Sequence, residues 1–283
     1  MNRSSVLARM ILCLCVVSLS GFAPDLSAED AAPAITPAAP VVNITDKWTV
    51  LVKPDRPRPG IVEFTDKSPI QNVAEFKLLG PMVSHPFGLG EFTVDGRWAT
   101  AQGVVQVVEG KNALLSLATA DEFELEGIIN QEGMGGWLML LGWNQGHGYS
   151  LSNFTLKDTG HPWSLCEYRA SEAIAVSNNT VKKFDWKGDQ PFRMTVQDKQ
   201  LTVTVGQTAI VEAYPLDNYT PGQVCLGTYD TRYGARPVKI RSLRIRAVVE
   251  QPEQPEKPKP KPKPKQAAPP PKKGAAPAKP AVP

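Results

Sequence analysis

The stretch PFRMTVQDKQLTVTVGQTAIVEA (Pro191–Ala213) contains three short runs in which apolar and polar residues alternate. In the middle run, QLTVTV, aliphatic side chains at every second position would face one side of a strand, and threonines would face the other. Short polar or glycine-containing breaks separate the three runs. The pattern predicts consecutive antiparallel strands joined by tight turns.

The same pattern continues over most of the chain, between Asn43 and Val249. About a dozen short runs with strand periodicity, with turns roughly every 8–12 residues, are typical of antiparallel sandwiches and barrels. No run shows a convincing helical repeat with caps, and no linker divides the region. We therefore predict a single all-β domain over residues 44–249.

The first 28 residues have the features of a secretory signal peptide. Arg3 and Arg9 accompany an apolar run that is too short to span a bilayer comfortably, and small residues end at Ala28. We predict cleavage after Ala28 and export to the periplasm or the extracellular space. Residues 29–43, rich in Ala and Pro, would link the signal peptide to the domain. No later apolar run is long enough to predict a transmembrane segment.

The C-terminal residues 250–283 form a Pro/Lys-rich tail with eight Lys, three Glu and no aromatic residue. Such a composition buries too little apolar surface to offset the entropy of ordering, so we predict a disordered, extended tail. Its positive charge would allow contacts with anionic polymers of the cell envelope. The alternative is a spacer that improves solubility.

Two cysteines, Cys166 and Cys225, remain after the predicted cleavage. In an oxidising compartment they could form a disulfide, and two free thiols are the alternative. Val224 and Leu226 would share one face of a strand and Cys225 would take the other. We therefore expect Cys225 to lie outside the main core.

Six motifs in the second half of the chain follow one another in an order that resembles a known family. They are FELEGIINQ, GWLMLLGW, GYSLSN, PFRMTVQDKQLTVTVGQTAIVEA, PGQVCLGTYD and PVKIRSLRIR. This order, over about Trp98–Ala247, resembles the concanavalin A-like lectin/glucanase sandwich, and within it the 3-keto-disaccharide hydrolase-like domains of exported bacterial proteins. The resemblance implies a two-sheet antiparallel jelly roll that handles sugars.

Catalysis on such a sandwich would use carboxylates on one face of a strand. Glucanases of this fold carry Glu-x-Asp-x-Glu, and the segment DEFELEG here places Glu122, Glu124 and Glu126 on one face. Glu124 and Glu126 are the candidate catalytic residues. The central Asp is missing, and GGWLMLLGWN is neutral where the hydrolase-like domains have an Asn-Ser-Gly strand ending in Arg. These departures favour the alternative that the glutamates form the solvated face of an amphipathic strand.

The sequence predicts no metal and no other cofactor. The three histidines, His85, His147 and His161, lack the local spacing of a tight zinc site. A looser site would combine His147 and His161 with an acid such as Asp158. A nucleophile motif of the Gly-x-Ser-x-Gly type is also missing.

The stretch GWLMLLGWNQGHGYSLSN (136–153) contains the candidate sugar site. Strict alternation places Trp137 and Trp143 on the same strand face. We interpret Trp137 as core, and Trp143 either as core or as a platform on which a sugar ring stacks. In the second interpretation, stacking and hydrogen-bonding side chains form the site: Trp143, Asn144, His147 and Tyr149, with Trp163 or Tyr168 as a second platform.

These observations together predict an exported carbohydrate-binding module of the cell envelope, without catalytic activity. One alternative is a 3-keto-glycoside hydrolase or lyase, and another is a structural envelope protein whose tail makes the contacts. A carbohydrate or glycan is the expected ligand. Nucleic acid is not, because the chain without its first 28 residues and its tail has a net charge of about −3.

Overall fold

In the computed structural model, the residues described are 44–80, 91–131, 135–155, 161–181, 188–229 and 238–248. The predicted signal peptide, linker and tail lie outside these residues and stay predictions. Within the described part of the chain, no helix has the length and apolar character needed to cross a membrane.

The described residues form eighteen strands, β1–β18, arranged in two nine-stranded sheets. Sheet I contains β1 (Thr49–Val52), β2 (Ile61–Val62), β6 (Arg97–Ala101), β7 (Val104–Glu109), β9 (Phe123–Gln131), β14 (Asp189–Gln197), β15 (Gln200–Val205), β16 (Thr208–Pro215) and β18 (Val238–Ala247). Sheet II contains β3 (Gln71–Asn72), β4 (Lys77–Leu79), β5 (Glu91–Thr93), β8 (Ala113–Ala120), β10 (Gly135–Asn144), β11 (His147–Thr155), β12 (His161–Arg169), β13 (Glu172–Val181) and β17 (Gly222–Tyr229).

The strand order in sheet I is β16-β15-β14-β9-β18-β7-β6-β2, with β1 beside β18. In sheet II it is β3-β8-β17-β10-β11-β12-β13-β4-β5. The paired strands are antiparallel, apart from a single parallel contact between β13 and β4. Consecutive strands are often neighbours, whereas β9 lies between β14 and β18, which come much later in the chain.

The three runs of Pro191–Ala213 form the meander β14–β15–β16 at one edge of sheet I. Phe192 pairs with Val205, and Val196 pairs with Leu201. The aliphatic residues of β15 are buried and its threonines are half-buried. The alternation in the sequence therefore predicted both the strands and their buried face.

The main core lies between the two sheets and takes side chains from both. Its larger members from sheet I include Trp98, Phe123, Leu125, Met194 and Ile245, and those from sheet II include Leu115, Trp137, Met139, Leu151 and Leu226. Each such burial contributes about 1.5–3 kcal/mol relative to exposure, so facing sheets hold each other together. The prediction of an all-β, antiparallel two-sheet sandwich is confirmed.

A second apolar cluster covers the outer face of sheet II. The segment around β4 and β5 supplies Phe76, Leu78 and Phe92, which pack with Leu138 and Leu140 of β10. β10 is therefore buried on both faces, as the sequence predicts for a strand with two apolar faces. The outer face of sheet I, in contrast, carries exposed and half-buried polar side chains.

A bulge in β10 corrects one prediction about its faces. Up to Leu141, alternate side chains point into the main core, but the register shifts between Leu141 and Asn144. Gly142 has a φ of +58°, and a Cβ on it would lie 2.3 Å from the Thr220 carbonyl oxygen. Only glycine suits this conformation and close approach. As a result Trp143 joins the second cluster, and it does not share the face of Trp137.

Candidate functional site

The predicted platform Trp143 is buried. Its side chain is 7% exposed. It makes edge-to-face contacts with Phe76, at 5.4 Å between ring centroids, and with Tyr168, at 5.6 Å. A ring enclosed in this way offers no open face to a sugar, so Trp143 is a core residue of the second cluster.

The other predicted sugar-binding aromatic residues are buried as well. Trp163 is 2% exposed and packs edge-to-face on Trp137 in the main core, at 5.0 Å. The Tyr149 hydroxyl accepts a hydrogen bond from the Asn218 backbone N–H at 3.0 Å, and burial raises the pKa of this tyrosine. Tyr168 is buried, and desolvation raises its pKa also. The predicted aromatic groove is therefore wrong: two packed cores enclose these rings.

The polar members of the predicted site, Asn144 and His147, lie at the exposed tip of the β10–β11 hairpin. They pair with each other across a two-residue turn. Gln145 and Gly146 in this turn both have positive φ, at 46° and 81°, as a type I′ hairpin requires. Asn144 and His147 thus terminate a hairpin and share no open surface with the buried rings.

No disulfide joins Cys166 and Cys225, so the disulfide alternative is wrong. Across sheet II, Cys225 pairs with Leu140, Leu140 with Ser150, and Ser150 with Cys166. Three strand spacings, about 14 Å, separate the two cysteines, far more than a disulfide can bridge. Cys225 lies in the second cluster, as its alternation with core residues predicted. Desolvation raises the pKa of Cys225 to about 12 and raises that of Cys166.

The candidate catalytic residue Glu124 lies on the outer face of sheet I, where arginines from both neighbouring strands enclose it. Arg246 of β18 donates from Nε to Glu124 Oε2 at 2.8 Å. Arg193 of β14 forms an ion pair with the other oxygen, Oε1. Each carboxylate oxygen of Glu124 thus contacts a guanidinium group. The side chain is also buried, so the carboxylate is shielded from solvent.

Glu126, two residues further along β9, is held in the same way. Arg244 of β18 donates to Glu126 Oε2 from Nη2 at 2.6 Å and from Nε at 3.1 Å, and Arg193 Nε lies 3.6 Å from Oε1. We call Glu124, Glu126, Arg193, Arg244 and Arg246 the Arg–Glu network. The ring of Trp48, just before β1, lies 4.2 Å and 4.6 Å from the guanidinium carbons of Arg244 and Arg246.

This network differs from the paired carboxyl groups of a glycosidase. Those enzymes need one carboxyl group that protonates the leaving oxygen and a second that attacks or activates water. Here Glu124 and Glu126 each contact two guanidinium groups. The arrangement fixes both carboxylates between arginines of the neighbouring strands.

A groove of ≈550 Å³ runs across the outer face of sheet I beside the network. It crosses β1, β18, β9, β14 and β15. Its charged side chains are Glu126, Arg193 and Arg244; Thr204 and Ser242 add hydroxyl groups; and Val50, Pro54, Ile128 and Pro191 supply apolar surface. We refer to this feature as the groove.

Sequence reasoning missed the groove, although two signals for it were present. The strand PVKIRSLRIR alternates apolar and basic residues, and EFELEG alternates apolar and acidic residues. β18 and β9 pair so that Arg244 lies opposite Glu126 and Arg246 opposite Glu124. Cross-strand pairs of opposite charge favour this register.

The described residues contain no cluster of three or more His, Cys, Asp and Glu side chains arranged to hold a metal ion. Of the looser site suggested by the sequence, Asp158 and the side chain of His161 lie outside the described residues, so that site stays a prediction. His147 is at the exposed hairpin tip described above.

No protein-family model matches the chain, and no curated protein sequence matches it. Among solved structures, the carbohydrate-binding module CBM66 from Bacillus subtilis is similar, with 10% identity, a TM-score of 0.36, and coverage of 74% of this chain and 97% of that chain. The CBM2 module of the evolved Dit of Lactobacillus casei BL23 phage J-1 has 11% identity and a TM-score of 0.48, with coverages of 71% and 96%. The exoplasmic/lumenal domain of VIP36, in a Ca²⁺/Man2-bound form, has 12% identity and a TM-score of 0.40, with coverages of 62% and 90%. These likenesses concern the course of the backbone.

Proposed function

We propose that this chain is an exported, non-catalytic carbohydrate-binding protein, and that the groove on the outer face of sheet I holds the saccharide. The observation that carries the proposal is the open groove itself, in which apolar surface adjoins fixed carboxylate and guanidinium groups. Export rests on the signal-peptide pattern of Met1–Ala28.

The chemistry of the groove matches the chemistry of a sugar. A sugar hydroxyl both donates and accepts hydrogen bonds, so it can donate to Glu126 and accept from Arg193 or Arg244. The C–H faces of the ring can pack on apolar surface such as Ile128 and Pro191. The volume lies within the range of about 300–1,000 Å³ that is usual for small-ligand sites.

The site is also organised before a ligand arrives. Glu126, Arg193 and Arg244 are on three adjacent strands, and the ion pairs between them hold the side chains in place. A ligand therefore causes little loss of side-chain freedom when it binds. This rigidity favours a binding role for the network.

Filling the groove tests the proposal. Thr204 lines the groove opposite Arg193 of β14, so Thr204→Trp should fill the groove without removing a charged group of the Arg–Glu network. Thr202 is the matched control: it is half-buried on the same face of β15, two residues away, and does not line the groove. On a glycan array, we expect the purified protein and Thr202→Trp to bind the same saccharides, and Thr204→Trp to lose at least about tenfold in affinity.

The measurement includes a thermal melt of each variant, so that unfolding is not mistaken for lost binding. Equal binding by Thr204→Trp and Thr202→Trp would place the sugar site elsewhere. A wild-type protein that binds no saccharide on the array would overturn the proposed function.

A further inference from the structure

We propose that the ligand of the groove is an anionic glycan whose carboxylate or sulfate group binds between Arg193 and Arg244. This inference rests on the proposed function and specifies its ligand class. It follows from the charges, exposure and unused donors of the Arg–Glu network.

The network has more positive than negative groups. Three guanidinium groups surround two carboxylates. Of its members that line the groove, two are arginines and one is a glutamate. Every arginine of the network has an acidic partner, but the formal charges of the network add up to a net charge of +1, and so do those of its members that line the groove.

The arginines of the groove are more exposed to solvent than the carboxylates of the network. The side chains of Arg193 and Arg244 are 57% and 49% exposed, whereas those of Glu124 and Glu126 are 4% and 26% exposed. An approaching ligand therefore meets guanidinium groups first. A ligand with a negative group gains attraction there, while a neutral ligand gains ordinary hydrogen bonds only.

Both arginines keep donors for a ligand. Arg193 directs Nη2 to Glu124 and Nε to Glu126, and Arg244 directs Nε and Nη2 to Glu126. In contacts among the described residues, the Nη1 group of neither arginine is used, and each Nη1 carries two N–H groups. The two arginines are on opposite sides of β9, both level with Glu126.

A planar carboxylate or a sulfate suits this arrangement because guanidinium groups donate paired, charge-assisted hydrogen bonds to such anions. These bonds are about twice as strong as those between neutral groups. A uronic acid carboxylate and a sugar sulfate ester share this chemistry. The apolar part of the groove would take the sugar ring that bears the anion.

The experiment compares sugars that share a backbone and differ in whether they carry anionic groups. One matched pair is trigalacturonic acid and its methyl ester, and the other is sulfated maltotriose and maltotriose. Binding of each to the full-length purified protein is measured by titration calorimetry, alongside an array of neutral, uronate-containing and sulfated glycans. Short ligands are used because the Lys-rich tail, residues 250–283, would bind long polyanions by itself.

Three variants locate the effect. Arg193→Gln and Arg244→Gln each remove one cation of the groove. Arg97→Gln is the matched control, since Arg97 is a similarly exposed arginine that pairs with Glu63 and Glu109 away from the groove. All three keep the tail, so its contribution cancels in the comparison.

We expect anionic glycans to bind at least tenfold more tightly than their neutral partners, and this preference to fall at least fivefold in Arg193→Gln and Arg244→Gln but not in Arg97→Gln. Comparison of the uronate pair with the sulfate pair shows which anion the groove prefers. Raising NaCl from 50 to 300 mM should weaken the anionic ligands selectively.

Two other outcomes show whether the inference fails alone or the proposed function fails with it. If neutral glycans bind as tightly as anionic ones, or if the preference survives both groove variants, the anionic ligand is ruled out and carbohydrate binding stands. If the array shows no bound glycan of any kind, both the inference and the proposed function fail. If one of the two arginine variants unfolds below the assay temperature, the other variant alone tests the inference.

Discussion

Replacing Trp143 by alanine tests whether this side chain is part of the fold or part of a sugar site. In the structure its ring is enclosed by the second cluster and contacts Phe76 and Tyr168 edge-to-face. The groove is on the outer face of the other sheet. We therefore expect Trp143→Ala to lower stability and to leave glycan binding unchanged.

The size of the loss follows from the contacts that are removed. Truncating a buried aromatic side chain to alanine costs about 3–5 kcal/mol. Each of two aromatic pairs contributes about 0.5–1.5 kcal/mol beyond its buried area, which places Trp143 in the upper part of that range, at about 4–5 kcal/mol. At about 2–4 °C per kcal/mol for a domain of this size, Tm should fall by about 8–20 °C.

Urea unfolding measures this free energy, and a glycan-binding isotherm recorded well below Tm measures function. Tyr214→Ala is the control: Tyr214 is exposed on β16, and its removal should change stability by no more than about 0.5–1 kcal/mol. Trp137→Ala should behave like Trp143→Ala, since Trp137 is buried in the main core. A Trp143→Ala protein that loses less than about 1 kcal/mol but binds glycan more weakly would refute the reasoning.

Further predictions concern the thiols, the network and the termini. Cys166 and Cys225 should not react with a thiol reagent at pH 8 until urea is added. Since burial raises their pKa, stability should also fall as the pH rises from about 9, where the unfolded thiols ionise, towards the value of about 12 for Cys225. Glu124→Gln should lower the free energy of unfolding in urea by about 1–3 kcal/mol, because the charge-assisted hydrogen bonds to Arg246 become weaker. An unchanged free energy would mean that these ion pairs do not stabilise the fold. Deleting residues 250–283 should move Tm by less than about 3 °C, and a larger drop would mean that the tail docks on the domain. N-terminal sequencing of exported protein should begin directly after Ala28, and a sequence starting at Met1 would contradict the signal-peptide prediction.

The fold class could be predicted from the sequence because strand alternation is a local property. In β15, each of Leu201, Val203 and Val205 indicates the buried face without knowledge of any partner strand. The antiparallel meander followed from the short turns between the runs. Local pattern and tertiary structure agree here, so the sandwich was predictable.

The strand face on which Trp143 lies could not be predicted from alternation, because a bulge at Gly142 shifts the register. A glycine inside a strand was the available signal, as such residues often mark bulges. The cover over Trp143 comes from Phe76, far away in sequence, so its burial depends on tertiary structure. A strand pattern alone cannot distinguish a covered face from an open one.

The groove was missed for a related reason. Glu124 and Arg246 are 122 residues apart in the chain, and nothing local indicates that β9 and β18 are neighbours. The complementary charges of the two strands were visible, but many strands could have been their partners. Sequence reasoning thus identified the acidic face and did not identify the arginines that define its chemistry.

The cover on sheet II has a consequence for how the protein would act on a polymer. Since β4 and β5 occupy that side, sheet I provides the broad open sheet surface among the described residues. We therefore expect each molecule to engage one glycan chain at a time through its folded domain. A population of such molecules would coat a polysaccharide without cross-linking neighbouring polysaccharide chains. Mixing should therefore raise the mass of the dissolved polymer but not form a gel.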